Sequence, residues 1–196
     1  MPAIPSLAPT LKALETGRVI RTWVAVALRV VAVLAVIAGL VAAYRALKSL
    51  SESGQTGAGL LIAVLMVVAV AAMADILVYR AKAVEALPDS KFTVIPIFSQ
   101  LLRSLGEIYA AFAVVFGVGG MLFLWITRQS PLDLIGVFFS WLPHAGAMGG
   151  AEGSFIGGLL FLIHMLLVGF LSLIVFYAAA EASIALVTIA QNTERR

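Results

Sequence analysis

Arg29, Asp75, Glu107 and Glu181 stand within or at the edges of long apolar runs, and His164 stands in the middle of one, in Leu162-Ile163-His164-Met165-Leu166. Ionised groups are costly in hydrocarbon, so those that persist there mark ion pairs, ligand contacts or proton pathways. Counted from the ends of the runs, the four charged residues fall at a similar depth, toward one side. Arg29 shares a helical face with a stripe of small residues, which points it inward, and its expected partner is Asp75 or Glu107. Arg103 precedes Glu107 by one helical repeat and can pair with it along the helix; Gln100 lies on the same face. A buried ion pair that fixes helix register is the plainer reading. A proton or cation relay needs acids reachable from both sides, and the other halves of the runs hold none. Glu181 is close enough to the end of its run to reach polar surroundings. On this reading Arg29→Ala should cost more than Arg45→Ala, because only the first leaves a buried acid unpaired.

A bis-histidine haem site needs two axial ligands at compatible depth. The other histidine of the chain, His144, follows Pro143 in a connecting segment and is too shallow to partner His164. Met66, Met73 and Met121 offer sulfur ligands, but no spacing selects one. His164 is therefore read as a polar contact to a neighbouring helix or subunit, with haem as the minor alternative and no cofactor expected. The absence of cysteine removes disulfides, thiolate metal sites and thiol nucleophiles. The sequence holds no His-Glu-x-x-His, no paired histidines and no Ser, His and Asp set at one depth. Gly117-x-Gly119-Gly120 lies inside an apolar run, where it serves packing rather than phosphate binding.

The elements that must position these residues follow from the apolar runs. With 62% hydrophobic and 12% charged residues in 196, the chain has about half the charge of a soluble domain, and its mean hydropathy is +1.09. A helix needs about 20 residues to cross the hydrocarbon core. Four segments qualify, at about Thr22–Ala46, Gly57–Tyr79, Gly106–Thr127 and Phe155–Ala180. The third starts in water near Pro96, and the fourth continues as a polar-side helix to about Asn192. Continuous rather than alternating apolar runs indicate helices, since only helices or closed barrels satisfy the backbone in lipid. The expected fold is an all-α integral membrane protein, a single-domain bundle of four transmembrane helices. The first apolar stretch is too long for a cleaved signal and reads as a retained helix.

Orientation comes from the basic residues. Lys12, Arg18, Arg21, Arg29, Arg80, Lys82, Lys91, Arg103, Arg195 and Arg196 collect on one side, and only Arg45, Lys48 and Arg128 on the other. The first side, with both termini (1–18 and 181–196) and the 80–105 loop, is read as cytosolic. Trp23, Tyr79, Tyr109 and Tyr177 fall at the inner ends of the runs, and Tyr44, Trp125 and Trp141 at or near the outer ends, as interfacial aromatics should. Basic residues lie at run ends rather than in a block, which excludes nucleic acid as the expected partner.

The connections differ in kind. Lys48–Thr56 is short and implies an antiparallel hairpin. The cytosolic loop starts as a helix extension, breaks at Leu87-Pro88-Asp89-Ser90, and continues through the apolar Phe92–Phe98 segment. In the outer loop, Ser130-Pro131-Leu132-Asp133 has the N-cap, first-turn Pro and acid of a helix start. The apolar residues after it, including Phe138, Phe139 and Trp141, end at Pro143 and are too few to span. They suit a short interfacial helix over 130–143, an outer flap hinged on the Gly-rich 145–154 segment.

Small residues form two matching seams: Ala32, Ala35, Gly39 and Ala42 in the first span, and Ala110, Ala113, Gly117 and Gly120 in the third. Such seams let helix backbones approach closely in lipid. The shared spacing suggests a tandem pair of hairpins, with Asp75 and Glu181 as equivalent acids; chance alignment of common residues is the open alternative. The function that fits best is a non-catalytic membrane subunit or accessory protein that assembles with other membrane proteins or with itself. The alternatives are a small oligomeric transporter or channel and, after that, a haem-binding or other membrane enzyme subunit. The Ala-, Val-, Gly- and Arg-rich usage points to a bacterial cytoplasmic membrane.

Overall fold

In a computed structural model of the protein, residues 17–88, 94–128 and 155–194 are described. They form four helices: α1 Arg18–Glu52, α2 Thr56–Glu85, α3 Val94–Thr127 and α4 Phe155–Glu194. Among the described residues there is no strand. The shortest helix, α2, has 30 residues, against the roughly 20 needed to cross the hydrocarbon core. All four are long and apolar enough to cross a membrane, a composition compatible with a multi-pass membrane protein. The expected interfacial helix at 130–143, with Phe138, Phe139 and Trp141, lies outside the described residues.

The ends of the helices follow from local chemistry. Gly54, in the left-handed region at φ +79°, closes α1. Its N–H donates to Ser51 O at 3.1 Å, and the Gln55 N–H donates to Leu50 O at 2.8 Å. These two bonds satisfy the last carbonyls of α1 in a Schellman turn, which requires a residue free of Cβ strain at that position. The turn reverses the chain directly into α2. Pro96 lies in the first turn of α3, where a missing N–H removes no helical bond.

The helices pack in chain order: α1 on α2, α2 over a narrower contact on α3, and α3 on α4, while the remaining pairs meet only at isolated positions. Two cores result. One gathers Ala25, Leu28 and Ala32 of α1 with Leu77, Ala81 and Val84 of α2 and Ile97 and Ile108 of α3. The other joins Ala113 and Leu124 of α3 to Phe161, Met165 and Val168 of α4. The outer faces are apolar as well: Val33, Leu34 and Ile37 of α1 and Leu167, Phe170 and Leu171 of α4 are all more than half exposed.

Each small-residue seam faces the second helix of its hairpin. Gly39 of α1 lies against Val70 of α2. On α3, Gly117 lies against Met165, where an added Cβ would stand 3.0 Å from the Met165 Cβ. Gly120 faces Phe161, and Gly169 of α4 returns the fit against Ala110 and Ala113. Ala32, Gly39, Ala113, Gly117 and Gly120 are buried, and Ala35, Ala42 and Ala110 half-buried. The pairing corrects one expectation. Carrying Gly39 onto Gly117 carries Val70 onto Met165, and therefore Asp75 onto Phe170. Asp75 and Glu181 are not equivalent positions of two hairpins.

Candidate functional site

The polar side chains of α2, α3 and α4 converge at one place, where the two hairpins meet. Arg80 lies on the buried stripe of α2 with Leu77, Ala81 and Val84. Its guanidinium forks onto Glu107 of α3: Nε donates to Glu107 Oε2 at 2.9 Å, and Nη2 donates to Oε1. Nη1 donates to Gln100 Oε1 at 2.8 Å, and Nη2 also to the Tyr177 hydroxyl of α4 at 3.0 Å. Tyr177 in turn donates to Glu107 Oε1 at 2.6 Å. The Arg80 and Glu107 side chains are 9% and 24% exposed, so this pair is shielded enough for its geometry to matter. A bidentate guanidinium–carboxylate pair is both strong and directional.

Each helix contributes by register. Gln100 and Glu107 are two turns apart on α3, which stacks amide over carboxylate along one face. Arg103, on the intervening turn, lies with its guanidinium carbon 5.5 Å from the centroid of the Tyr177 ring. Cation–π contact at this range is favourable; it holds the phenol between Arg103 on its face and the Arg80–Glu107 pair at its hydroxyl. The buried Arg103 Nε has no hydrogen-bond partner among the described residues. At Gly106, an added Cβ would stand 2.9 Å from the Phe176 Cβ, so glycine lets α4 come close enough for Tyr177 to reach Glu107.

The expected ion pairs form differently. Arg29 pairs with Glu85 at 2.7 Å, not with Asp75 or Glu107, and both side chains are about 40% exposed. The antiparallel register of α1 on α2 sets Arg29 beside the last turn of α2, whereas Asp75 faces away and Glu107 belongs to a helix that α1 hardly touches. Arg103 makes no salt bridge to Glu107; its guanidinium lies over the Tyr177 ring instead. Asp75 is exposed, in a stripe with Val64, Val68, Ala71, Val78 and Tyr79; among the described residues it has no ion-pair or hydrogen-bond partner. Glu181 is also exposed. The anticipated charge layer is thus one three-helix cluster, one half-exposed pair and two outward acids. His164 is half-buried in α4. Among the described residues no group of three or more His, Cys, Asp or Glu could hold a metal ion.

Arg80, Gln100 and Tyr177 are the cluster members that the sequence reading did not single out as a site. For Arg80 a signal existed: it continues the heptad-like stripe of Met73, Leu77 and Val84, so it had to point inward. The chemistry available to the cluster is binding and fastening. It ties three helices through one guanidinium, and no nucleophile stands beside a free base within it. Comparison of the chain with protein-family models, with curated proteins and with solved structures returned no match.

Proposed function

We propose that the protein is a non-catalytic subunit of a membrane assembly, spanning a cytoplasmic membrane four times with both termini and the α2–α3 connection in the cytosol. It joins its neighbours, other membrane proteins or further copies of itself, through the outer face of α2. The observation that carries this reading is Asp75, an exposed acid within an apolar stripe of a helix long enough to span. A charged side chain costs about 2.5–3.5 kcal/mol at the centre of a span and less toward its end. A cation or hydroxyl on an adjoining helix would remove that cost, and the flanking Val68, Ala71 and Val78 would supply close packing. The polar cluster supports a rigid subunit rather than a conduit. It is confined to one end of the helices, and its groups are engaged with one another.

Asp75→Leu tests the proposal. The variant should still insert and fold, because Asp75 is exposed and has no ion-pair or hydrogen-bond partner among the described residues, but it should run as a smaller species than the wild type in mild detergent. Cysteine at Val78 should cross-link to the neighbour in the wild-type background only. An unchanged mass for Asp75→Leu would refute the assembly face. A monomeric wild type that moves solute across vesicle membranes would favour the transporter reading instead.

A further inference from the structure

Gly39 of α1 lies against Val70, Gly119 of α3 against Leu65, and Gly106 of α3 against Phe176 of α4. Carried along these antiparallel helices, the contacts put Asp75 level with Leu34 of α1, Tyr109 of α3 and Leu173 of α4. Within about one turn of that level, at 30–38, 71–79, 105–113 and 169–177, the chain has no lysine or arginine. The two cations that border this layer are engaged, Arg29 with Glu85 at 2.7 Å and Arg80 with Glu107 at 2.9 Å. The faces that the edge helices turn outward here are apolar: Leu34 of α1 is 58% exposed, and Phe170 and Leu171 of α4 are 60% and 58% exposed. Most hydroxyls of the layer are used or covered. Tyr177 belongs to the Arg80 cluster, Ser172 is buried, and Tyr109 is half-buried and stacked on Phe176. Tyr79 is exposed, on the Asp75 face itself.

We infer, on the reading of α2 as the assembly face, that the neighbour there is a different membrane protein, one that brings a lysine or arginine of a spanning helix to the depth of Asp75. Further copies of this chain stand in the bilayer with the same orientation. Each therefore presents to Asp75 the residues of the same layer, and that layer holds no cation. Contact with the outer face of α1 or α4 of a copy would seal the carboxylate against leucine and phenylalanine side chains with its charge uncompensated. Contact with α2 of a copy would bring up the Tyr79 hydroxyl, and with it a second Asp75 carboxylate on the same stripe; two like charges sharing a site repel. A lysine or arginine on a foreign helix meets neither obstacle. It neutralises the acid as it covers it, and paired ions are the ones that persist within a membrane. Ala71, one turn from Asp75 and exposed, lets the foreign backbone come close.

The test co-expresses the full chain with a designed single-span helix of leucine and alanine, oriented by basic residues on its cytosolic flank, and measures how much of the helix copurifies in mild detergent. One probe helix carries a single lysine at the depth of Asp75, a second carries it two turns nearer the outer leaflet, and a third carries none. The wild type should retain about tenfold more of the first probe than of the other two, the scale of an interhelical polar contact in lipid. Asp75→Leu should retain all three alike. In the absence of any probe, Val78→Cys, the sole thiol of a chain that lacks cysteine, should give no disulfide-linked homodimer when membranes are oxidised. Equal retention of the three probes by the wild type would overturn the inference. So would a Val78→Cys homodimer that disappears when Asp75→Leu is added; that result would keep α2 as the assembly face but assign it to a second copy. An Asp75→Leu variant with the native mass of the wild type would instead overturn the assembly face itself.

Discussion

At the scale of single residues, burial decides which charges matter. Arg80 and Glu107 are shielded and share two hydrogen bonds, whereas Arg29 and Glu85 are each about 40% exposed. Removing one partner of a buried pair strands the other charge, at a cost of about 3–5 kcal/mol, while half-exposed pairs contribute about 0–1 kcal/mol. Arg80→Ala should therefore destabilise the protein strongly in detergent unfolding, and Arg29→Ala hardly at all. The ordering expected from sequence alone, with Arg29 as the critical cation, moves to Arg80. Adding Glu107→Ala to Arg80→Ala should recover part of the loss, because the stranded carboxylate is gone; a double variant no more stable than Arg80→Ala would show that the pair does not act as a unit. Tyr177→Phe removes one donor from Glu107 and one acceptor from Arg80, and should cost about 1 kcal/mol. Glu107 was legible in the sequence as an acid entering a span. Its partner was not singled out, because Arg80 lies just past the apolar run that marked the second span and counted there as an interfacial cation; the stripe it continues with Met73, Leu77 and Val84 was the signal for its inward face.

At the scale of helices, the sequence placed the apolar runs and the polar extensions of three helices: a start near Pro96 for α3, an end near Asn192 for α4 and a continuation of α2 past Tyr79, against Val94, Glu194 and Glu85 in the structure. For α1 it gave only the apolar run, because hydropathy ends where polar residues begin, while backbone hydrogen bonding carries α1 from Arg18 to Glu52. The α1 and α3 seams were readable as spaced small residues, and their partners were not, since Val70 and Met165 look like ordinary apolar positions. Gly169 is the clearest seam residue that spacing alone did not select. An added Cβ there would stand 2.6 Å from the Ala113 Cβ and 3.4 Å from the Ala110 Cα; the second contact is backbone and cannot turn aside. Gly169→Val should therefore separate α3 from α4 and destabilise by about 1–3 kcal/mol, the usual cost of overpacking. Gly57, in the first turn of α2, has nothing within 4 Å of an added Cβ, so Gly57→Ala should be neutral or slightly stabilising. Thermal melts of the two variants in one detergent check both; equal shifts would mean that α3 and α4 are less closely apposed than Gly169 implies.

At the scale of the whole molecule, four helices in chain order leave α1 and α4 at the edges of the row and apolar faces on every helix. A chain that buries so little of its apolar surface against itself needs either lipid or neighbouring protein around it. Polar groups are segregated by end rather than by face. The Arg80 cluster, the Arg29–Glu85 pair, Arg18 and Arg21 all lie at the end where α1 and α3 begin and α2 ends. The turn closed by Gly54 and the end of α3 lie at the other. This arrangement makes topology testable with unusual economy, because the chain contains no cysteine and any introduced thiol is the sole label site. Ser53, in the turn after α1, and Thr193, near the end of α4, are both exposed. On the proposed orientation, with the first end in the cytosol as the basic-residue excess would direct it, Ser53→Cys should react with a membrane-impermeant maleimide on intact cells, and Thr193→Cys only after lysis. The reverse pattern would invert the orientation and move the Arg80 cluster toward the outer leaflet. Reaction of both on intact cells would be incompatible with α4 crossing the membrane opposite in sense to α1, and would force a different threading of the same four helices.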